Sequence, residues 1–215
     1  MKKIASPLFQ DLSEAELDTL AAAGHLRTRQ FAKHEVIFRA GSCVREIGIV
    51  LRGSVHIENL DLWGTKSILS SVGAGQAFAE TYAFCGETLM VDAVAAEHCE
   101  ILFLHTAAFT DARIEPALQD KLLRRLLAVS MRKNLSLSQR IFCTTPKTVR
   151  GRLLTYFSAQ AARCGRMEFE VPFNRQQMAD YLNLDRSALS KELCKMRDEG
   201  LLEFDKNRFV LKQLP

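Results

Sequence analysis

The sequence predicts an α+β fold in three parts. They are an antiparallel β-roll of the jelly-roll kind over 1–112, a long helix over 113–143, and a small helical unit closed by a β-hairpin over 144–215. Three observations carry this. Gly41, Gly53, Gly64 and Gly75 recur every 11–12 residues between short apolar runs, the rhythm of a sandwich or barrel. From Glu115 to Phe142 there is no glycine, and no proline after Pro116. The segment NRQQMADYLNLDRSALSKEL, 174–193, holds two short helical patterns separated only by Asn183-Leu184-Asp185.

Composition sets the outer limits. A chain of 215 residues fits one large domain or two small ones, and 47% hydrophobic residues suffice for a real core. No apolar run reaches the roughly 18–20 residues of a membrane span, and MKKIASPLFQDLSEAELD at the N-terminus lacks the apolar stretch of a secretory signal. The expectation is a cytoplasmic protein without a membrane partner. The six cysteines (Cys43, Cys85, Cys99, Cys143, Cys164, Cys194) lie at least fourteen residues apart. With no CxxC they carry no zinc, c-type haem or thioredoxin-like signature, and reduced, mostly buried thiols are expected. The net charge of +4 comes entirely from residues 146–215, with 13 Lys+Arg against 9 Asp+Glu, whereas 1–145 balance at 16 each. A neutral front and a basic back suggest two domains, the second facing a polyanion.

The elements follow in order. Between Phe31 and Phe109, EVIFRAG, EIGIVLRGSVHIENL, TKSILSSVGAGQAFAE and MVDAVAAEHCEILFLHTAAF show the alternation or β-branched character of strands. Asp61-Leu62-Trp63-Gly64 reads as a hairpin turn. Pro116 suits a first helical turn. On the long helix Leu118, Leu122, Leu126 and Val129 form one stripe, and Leu123, Leu127, Met131 and Leu135 another beside it. One roll does not need both. The second partner expected is the same helix of another copy, the alternative being an ordinary core helix. Cys143-Thr144-Thr145-Pro146 ends this helix, and Pro146 is expected to open the next, apolar at Val149, Leu153, Leu154 and Phe157 and stopped by Gly165. MEFEVPF reads as a short strand, and LLEFDKNRFVLKQL as two strands turning at Asp205-Lys206-Asn207.

The 174–193 segment carries the functional reading. Asn174 can cap the first helix with Gln177 completing a capping box. Met178, Ala179 and Leu182 point inward, and Asn183 tolerates the left-handed stop. Leu184 buries the turn and Asp185 caps the second helix. There Leu189, Leu193 and Met196 face the core, leaving Arg186, Ser187, Ser190 and Lys191 outside. A break of three residues sets the helices at a steep angle, a helix-turn-helix whose second helix suits the DNA major groove. An αα corner of some enzyme is the alternative; the following hairpin, placed as a wing, favours DNA.

Nearly the whole chain resembles the CRP/FNR superfamily of bacterial transcription regulators. VIFRAGSCVREIGIVLRGSVHI, the WG turn and SILSSVGAGQAFAE look like its cyclic-nucleotide-binding-type β-roll, and RQQMADYLNLDRSALSKEL like its recognition motif. The resemblance implies a sensor β-roll, a dimerisation helix and a C-terminal winged helix-turn-helix. It implies a homodimer controlled by an effector through the roll, binding double-stranded DNA at a palindromic operator, with RNA polymerase as a further partner. By the resemblance, Arg186, Ser187 and Lys191 fall where family members read bases, with Ser190 on the same face, Arg175 and Gln176 fall where phosphate is contacted, and Lys206 and Arg208 on the wing could add backbone contacts. An effector pocket would draw on Glu80, Leu89, Met90, Met131 and Leu135.

Departures from the family bear on the effector. Cyclic-AMP-binding members follow a Gly-Glu pair with an Arg-Ser pair that holds the cyclic phosphate. Here Ala79 precedes Glu80, and Leu89 and Met90 fall at the Arg-Ser positions. An unpaired phosphate in an apolar roll is prohibitive, which argues against cyclic AMP. No N-terminal cysteine cluster exists for a [4Fe–4S] centre. Haem stays open, with His25, His34, His56, His98 or His105 as conceivable ligands, and the sequence names no cofactor. Two other functions compete: a ligand- or haem-binding sensor whose basic domain takes a protein partner, and a cupin-like metal enzyme. The cupin lacks its HxH, and no GxSxG or Cys/His pairing supports a nucleophilic enzyme, so neither catalytic residues nor a metal are expected.

Overall fold

The structure, a computed structural model, describes residues 4–60 and 66–212, so the turn expected at Asp61-Leu62-Trp63-Gly64 lies outside the described residues. The chain divides into two compact units, Met1–Arg132 and Lys133–Pro215.

The first unit begins with α1 (Glu14–Ala22), started by a capping box between Ser13 and Glu16. Eight strands follow: β1 (Leu26–Phe31), β2 (Val36–Phe38), β3 (Glu46–Arg52), β4 (Val55–Leu60), β5 (Lys66–Val72), β6 (Ala77–Phe78), β7 (Asp92–Ala95) and β8 (Cys99–His105). The short α2 (Glu80–Cys85) sits between β6 and β7. The strands form two antiparallel sheets ordered β1-β8-β3-β6 and β2-β7-β4-β5. In β8, Ile101, Leu102, Phe103 and Leu104 are all buried. Leu102 and Leu104 join a core with Leu17, Leu20, Leu118, Leu122 and Leu126, while Ile101 and Phe103 join a second core inside the roll with Phe31, Phe38 and Phe78. A strand covered on both faces loses its polar alternation, which explains the continuous apolar runs. Gly53, between β3 and β4, has φ of 84°, and a Cβ there would meet the His98 carbonyl at 2.6 Å. Only glycine fits that turn.

Helix α3 (Pro116–Thr144) is 29 residues long, about 43 Å at 1.5 Å per residue. Leu118, Leu122 and Leu126 are buried, and Val129 is half-buried. The second stripe is not covered: Leu123, Leu127, Met131 and Leu135 are exposed, and Leu137, Ile141 and Phe142 extend it.

The second unit holds the end of α3, then α4 (Val149–Cys164), β9 (Glu168–Glu170), α5 (Arg175–Leu182), α6 (Arg186–Asp198), β10 (Leu202–Asp205) and β11 (Arg208–Leu211). Its sheet runs β10-β11-β9, and its core gathers Leu153, Phe157, Phe169, Met178, Leu189, Leu193 and Phe209.

Two expectations are corrected. Pro146 does not open α4; the helix starts at Val149 behind Thr148, whose hydroxyl accepts from Gly151 N at 3.0 Å. A side-chain acceptor satisfies a free helix N–H, which proline cannot do. The thiols are not mostly buried either. Cys99 and Cys143 are, but Cys43, Cys85, Cys164 and Cys194 are exposed, all six being free. Cys85 and Cys164 end their helices and Cys194 lies beside the buried Leu193 on the outer face of α6, so helix position overrides residue type. Among the described residues no helix is long and apolar enough to cross a membrane.

Candidate nucleic-acid interface

The paired helices α5 and α6 are built as their caps dictate. Asn174 Oδ1 accepts from Gln177 N at 2.9 Å, and Gln177 Oε1 accepts from Asn174 N at 2.9 Å. Met178, Ala179 and Leu182 are fully buried. Asn183 closes α5 in the left-handed region at φ 53°, and Leu184 N donates to Ala179 O at 2.9 Å. Leu184 is half-buried against the core. Asp185 Oδ1 accepts from Ala188 N at 2.9 Å and from the Ser187 hydroxyl. These hydrogen bonds, that of Ser187 first, hold the Asp185 carboxyl below its ordinary pKa, so it stays an anion at the helix start.

Three arginines that sequence reading missed lock this pair. Arg152 Nη1 donates to Leu182 O at 3.1 Å and to Asn183 O at 2.7 Å, while its Nε donates to Pro146 O at 2.8 Å. Arg140 donates to Tyr181 O at 3.1 Å and Asp180 O at 3.0 Å. Two cations thus cap carbonyls at the end of α5, where the helix dipole favours positive charge. Arg150 bridges Glu199, just past the end of α6, and Glu192 within it, which together raise its pKa further. Apart from Pro146, their partners lie 30 or more residues away, so no local pattern could have revealed them.

On α6, Leu189, Leu193 and Met196 are fully buried. Arg186, Ser187 and Lys191 are exposed on the other side, with Ser190 half-buried among them. The remaining expected contacts separate into two kinds. Arg175 and Lys206 share a cavity of about 420 Å³ with Pro172, Phe173, Asn174 and Asn207. The Arg175 guanidinium lies over the rings of Phe204 at 4.9 Å and Phe209 at 5.1 Å, and burial lowers its pKa. Lys206 is exposed at the hairpin tip with φ 50°. Gln176 and Arg208 already have partners: Gln176 Nε2 donates to Asp180 Oδ1 at 2.9 Å, and Arg208 Nε to Glu168 Oε1 at 2.8 Å.

In the roll, Glu80 is buried at the start of α2, behind Ala79 with φ 61°. Leu89 is buried in the roll core, and Met90, Met131 and Leu135 are exposed. A cavity of about 250 Å³ beside Glu80 is lined by Thr81, Phe84, Cys85, Leu123, Leu126, Leu127 and Ser130. Of the five expected pocket residues it contains Glu80 alone. A cyclic nucleotide does not fit there, because its phosphate would meet one carboxylate and no cation. Among the described residues no cluster of three His, Cys, Asp or Glu could hold a metal ion.

Two family models cover most of the chain: Cyclic nucleotide-binding domain over residues 28–113 and Crp-like helix-turn-helix domain over 151–215. The chain belongs to the CRP/FNR superfamily. It is accordingly a DNA-binding transcription regulator and not an enzyme. Among solved structures, the Catabolite Activator Protein of Thermus thermophilus is 25% identical, covering 96% of this chain and 94% of its own, with a TM-score of 0.50. CprK in complex with OCPA is 12% identical, with 94% and 91% coverage and a TM-score of 0.65. CLP of Xanthomonas campestris, described as responsive to c-di-GMP, is 19% identical, with 94% and 100% coverage and a TM-score of 0.54. The last two share the fold alone. A search of curated proteins gives no match.

Proposed function

We propose that this CRP/FNR regulator is a cytoplasmic homodimer that binds a palindromic operator through α6 and is switched by an effector at the β-roll. The carrying observation is the outer face of α6, where Arg186, Ser187 and Lys191 are exposed while the opposite face is fully buried. Arg and Lys suit guanine edges and Ser suits several bases. Arg175 and Lys206, around their shared cavity, supply the phosphate-facing charge; Gln176, Ser190 and Arg208 complete the surface, Arg208 by releasing Glu168. The exposed stripe of α3 supports the dimer, since seven large apolar side chains on one helix call for a partner. A two-fold dimer requires half-sites about one helical turn apart.

The effector reading draws on Glu80, Leu89, Met90, Met131 and Leu135, and the apolar walls of the cavity beside Glu80 suit an uncharged guest. Binding there would move the dimer helices and with them the reading helices. RNA polymerase is the further partner, whichever sign the regulation has.

The test is selection of bound DNA from a random pool, followed by mobility shift with Arg186→Ala and Lys191→Ala. Each should lose about 1–3 kcal/mol of operator binding while the dimer stays folded. Binding should also weaken steeply with salt. Mutants that bind the selected operator normally would refute the assignment. A visible absorption spectrum of the purified protein settles whether haem is the effector.

A further inference from the structure

The second unit contains a cavity that DNA reading does not use. It has a volume of about 100 Å³ and is lined by Gln139, Phe142 and Cys143 of α3, Tyr156, Ala159, Gln160 and Arg163 of α4, and Tyr181 of α5. Its size would suit about three waters or one small organic molecule. Tyr156 is 1% exposed, yet its hydroxyl is the one buried side-chain polar atom among the described residues with no hydrogen-bond partner. Leaving such a group unpaired is destabilising, so it marks either a cost accepted for nothing or a site for a guest.

The surroundings define the guest. Burial raises the pKa of Tyr156, and the charges it feels are those of Tyr181, Arg163 and Cys143, three other members of the same lining. Tyr156 is therefore an un-ionised O–H donor. Gln160 Oε1 accepts from Arg163 Nη2 at 2.6 Å, which leaves the Gln160 carboxamide N–H free to donate. The lining offers two phenol hydroxyls, two carboxamides and one guanidinium, and no Asp or Glu. The lining combines these donors and one positive charge with the apolar walls of Phe142, Ala159 and the tyrosine rings.

We propose that this cavity is a binding site for a small monocarboxylate, whose oxygens accept from the Tyr156 hydroxyl and the Arg163 guanidinium while its carbon end rests on Phe142 and Ala159. The site is distinct from the roll pocket and does not rest on it. It touches the end of α3 and, through Tyr181, the helix that buttresses the reading helix. Occupancy therefore ties α3, α4 and α5 together.

Isothermal titration of the full-length protein with propionate and with benzoate tests this. The expected result is saturable binding of at least one of them, one per chain. It should weaken about tenfold in Tyr156→Phe and in Arg163→Gln, the loss of one hydrogen bond to a charged acceptor. Arg163 is exposed, so its variant keeps the test intact should Tyr156→Phe misfold; circular dichroism checks both. Absence of saturable binding by either acid overturns the proposal, leaving a water-filled void. Binding unchanged in both folded variants overturns it equally. Operator affinity that fails while carboxylate binding persists would count against the DNA assignment alone.

Discussion

Arg152 offers the sharpest test of how the helix pair is held. Replacing it with Met keeps the apolar stem and removes a guanidinium that donates to the carbonyls of Pro146, Leu182 and Asn183. Asn183 is exposed and Pro146 half-buried, so water can reach their carbonyls once the arginine is gone. Leu182 is fully buried, so its carbonyl bears most of the cost. A lost hydrogen bond from a charged donor costs about 1.5–3 kcal/mol, and removal of a cation from a helix C-terminus adds about 0.3–1 kcal/mol. The total is about 3 kcal/mol. That corresponds to roughly a hundredfold drop in amide protection where α5 and α6 open as a unit. Native-state hydrogen exchange on the full-length protein reads this directly, with β3 and β8 of the roll as an internal reference. Unchanged protection in α5 and α6 would refute the locking role. An equal loss in the roll strands would show a global effect instead.

Three further outcomes are expected. Leu127→Glu places a charge in the exposed stripe of α3 and should convert the proposed dimer to monomers by light scattering, with the roll core intact; a dimer of unchanged affinity would move the interface elsewhere. Ala79→Gly should raise stability by about 1 kcal/mol, because Ala79 sits at φ 61°, a conformation that costs an L-residue about 1–2 kcal/mol. A lower Tm would contradict that. Asp111 carries a carboxyl held well below its usual range, first by the Arg113 side chain, then by the Arg113 backbone and by His25 at 2.8 Å. The stability from a depressed carboxylate is complete above its unfolded pKa of about 3.9 and disappears as pH falls through the lower folded value. Asp111→Asn should therefore flatten the acid limb of the stability curve below about pH 4, and a limb of unchanged steepness in urea titrations would exclude Asp111 as its source.

Local chemistry wrote much of this protein into its residue order. Asn174 with Gln177, Asn183 and Asp185 act on backbone atoms within a few positions, so the helix pair was legible before any coordinates. The glycine rhythm announced the roll for the same reason, and the glycine-free run announced α3. Start signals of similar strength were harder to rank, as Pro146 and Thr148 show, because a local rule names candidates without choosing among them.

Folding alone decided what depends on distance along the chain. Arg140, Arg150 and Arg152 look like ordinary surface charge in sequence and become caps and clamps only when the end of α3 and α4 pack on α5 and α6. The Leu118 and Leu123 stripes are alike in composition, yet the roll covers the first and leaves the second open. The buried Tyr156 hydroxyl and the carboxylate-free lining around it are likewise products of packing. Hydrogen bonds and burial act through space, and only short stretches of sequence preserve that proximity.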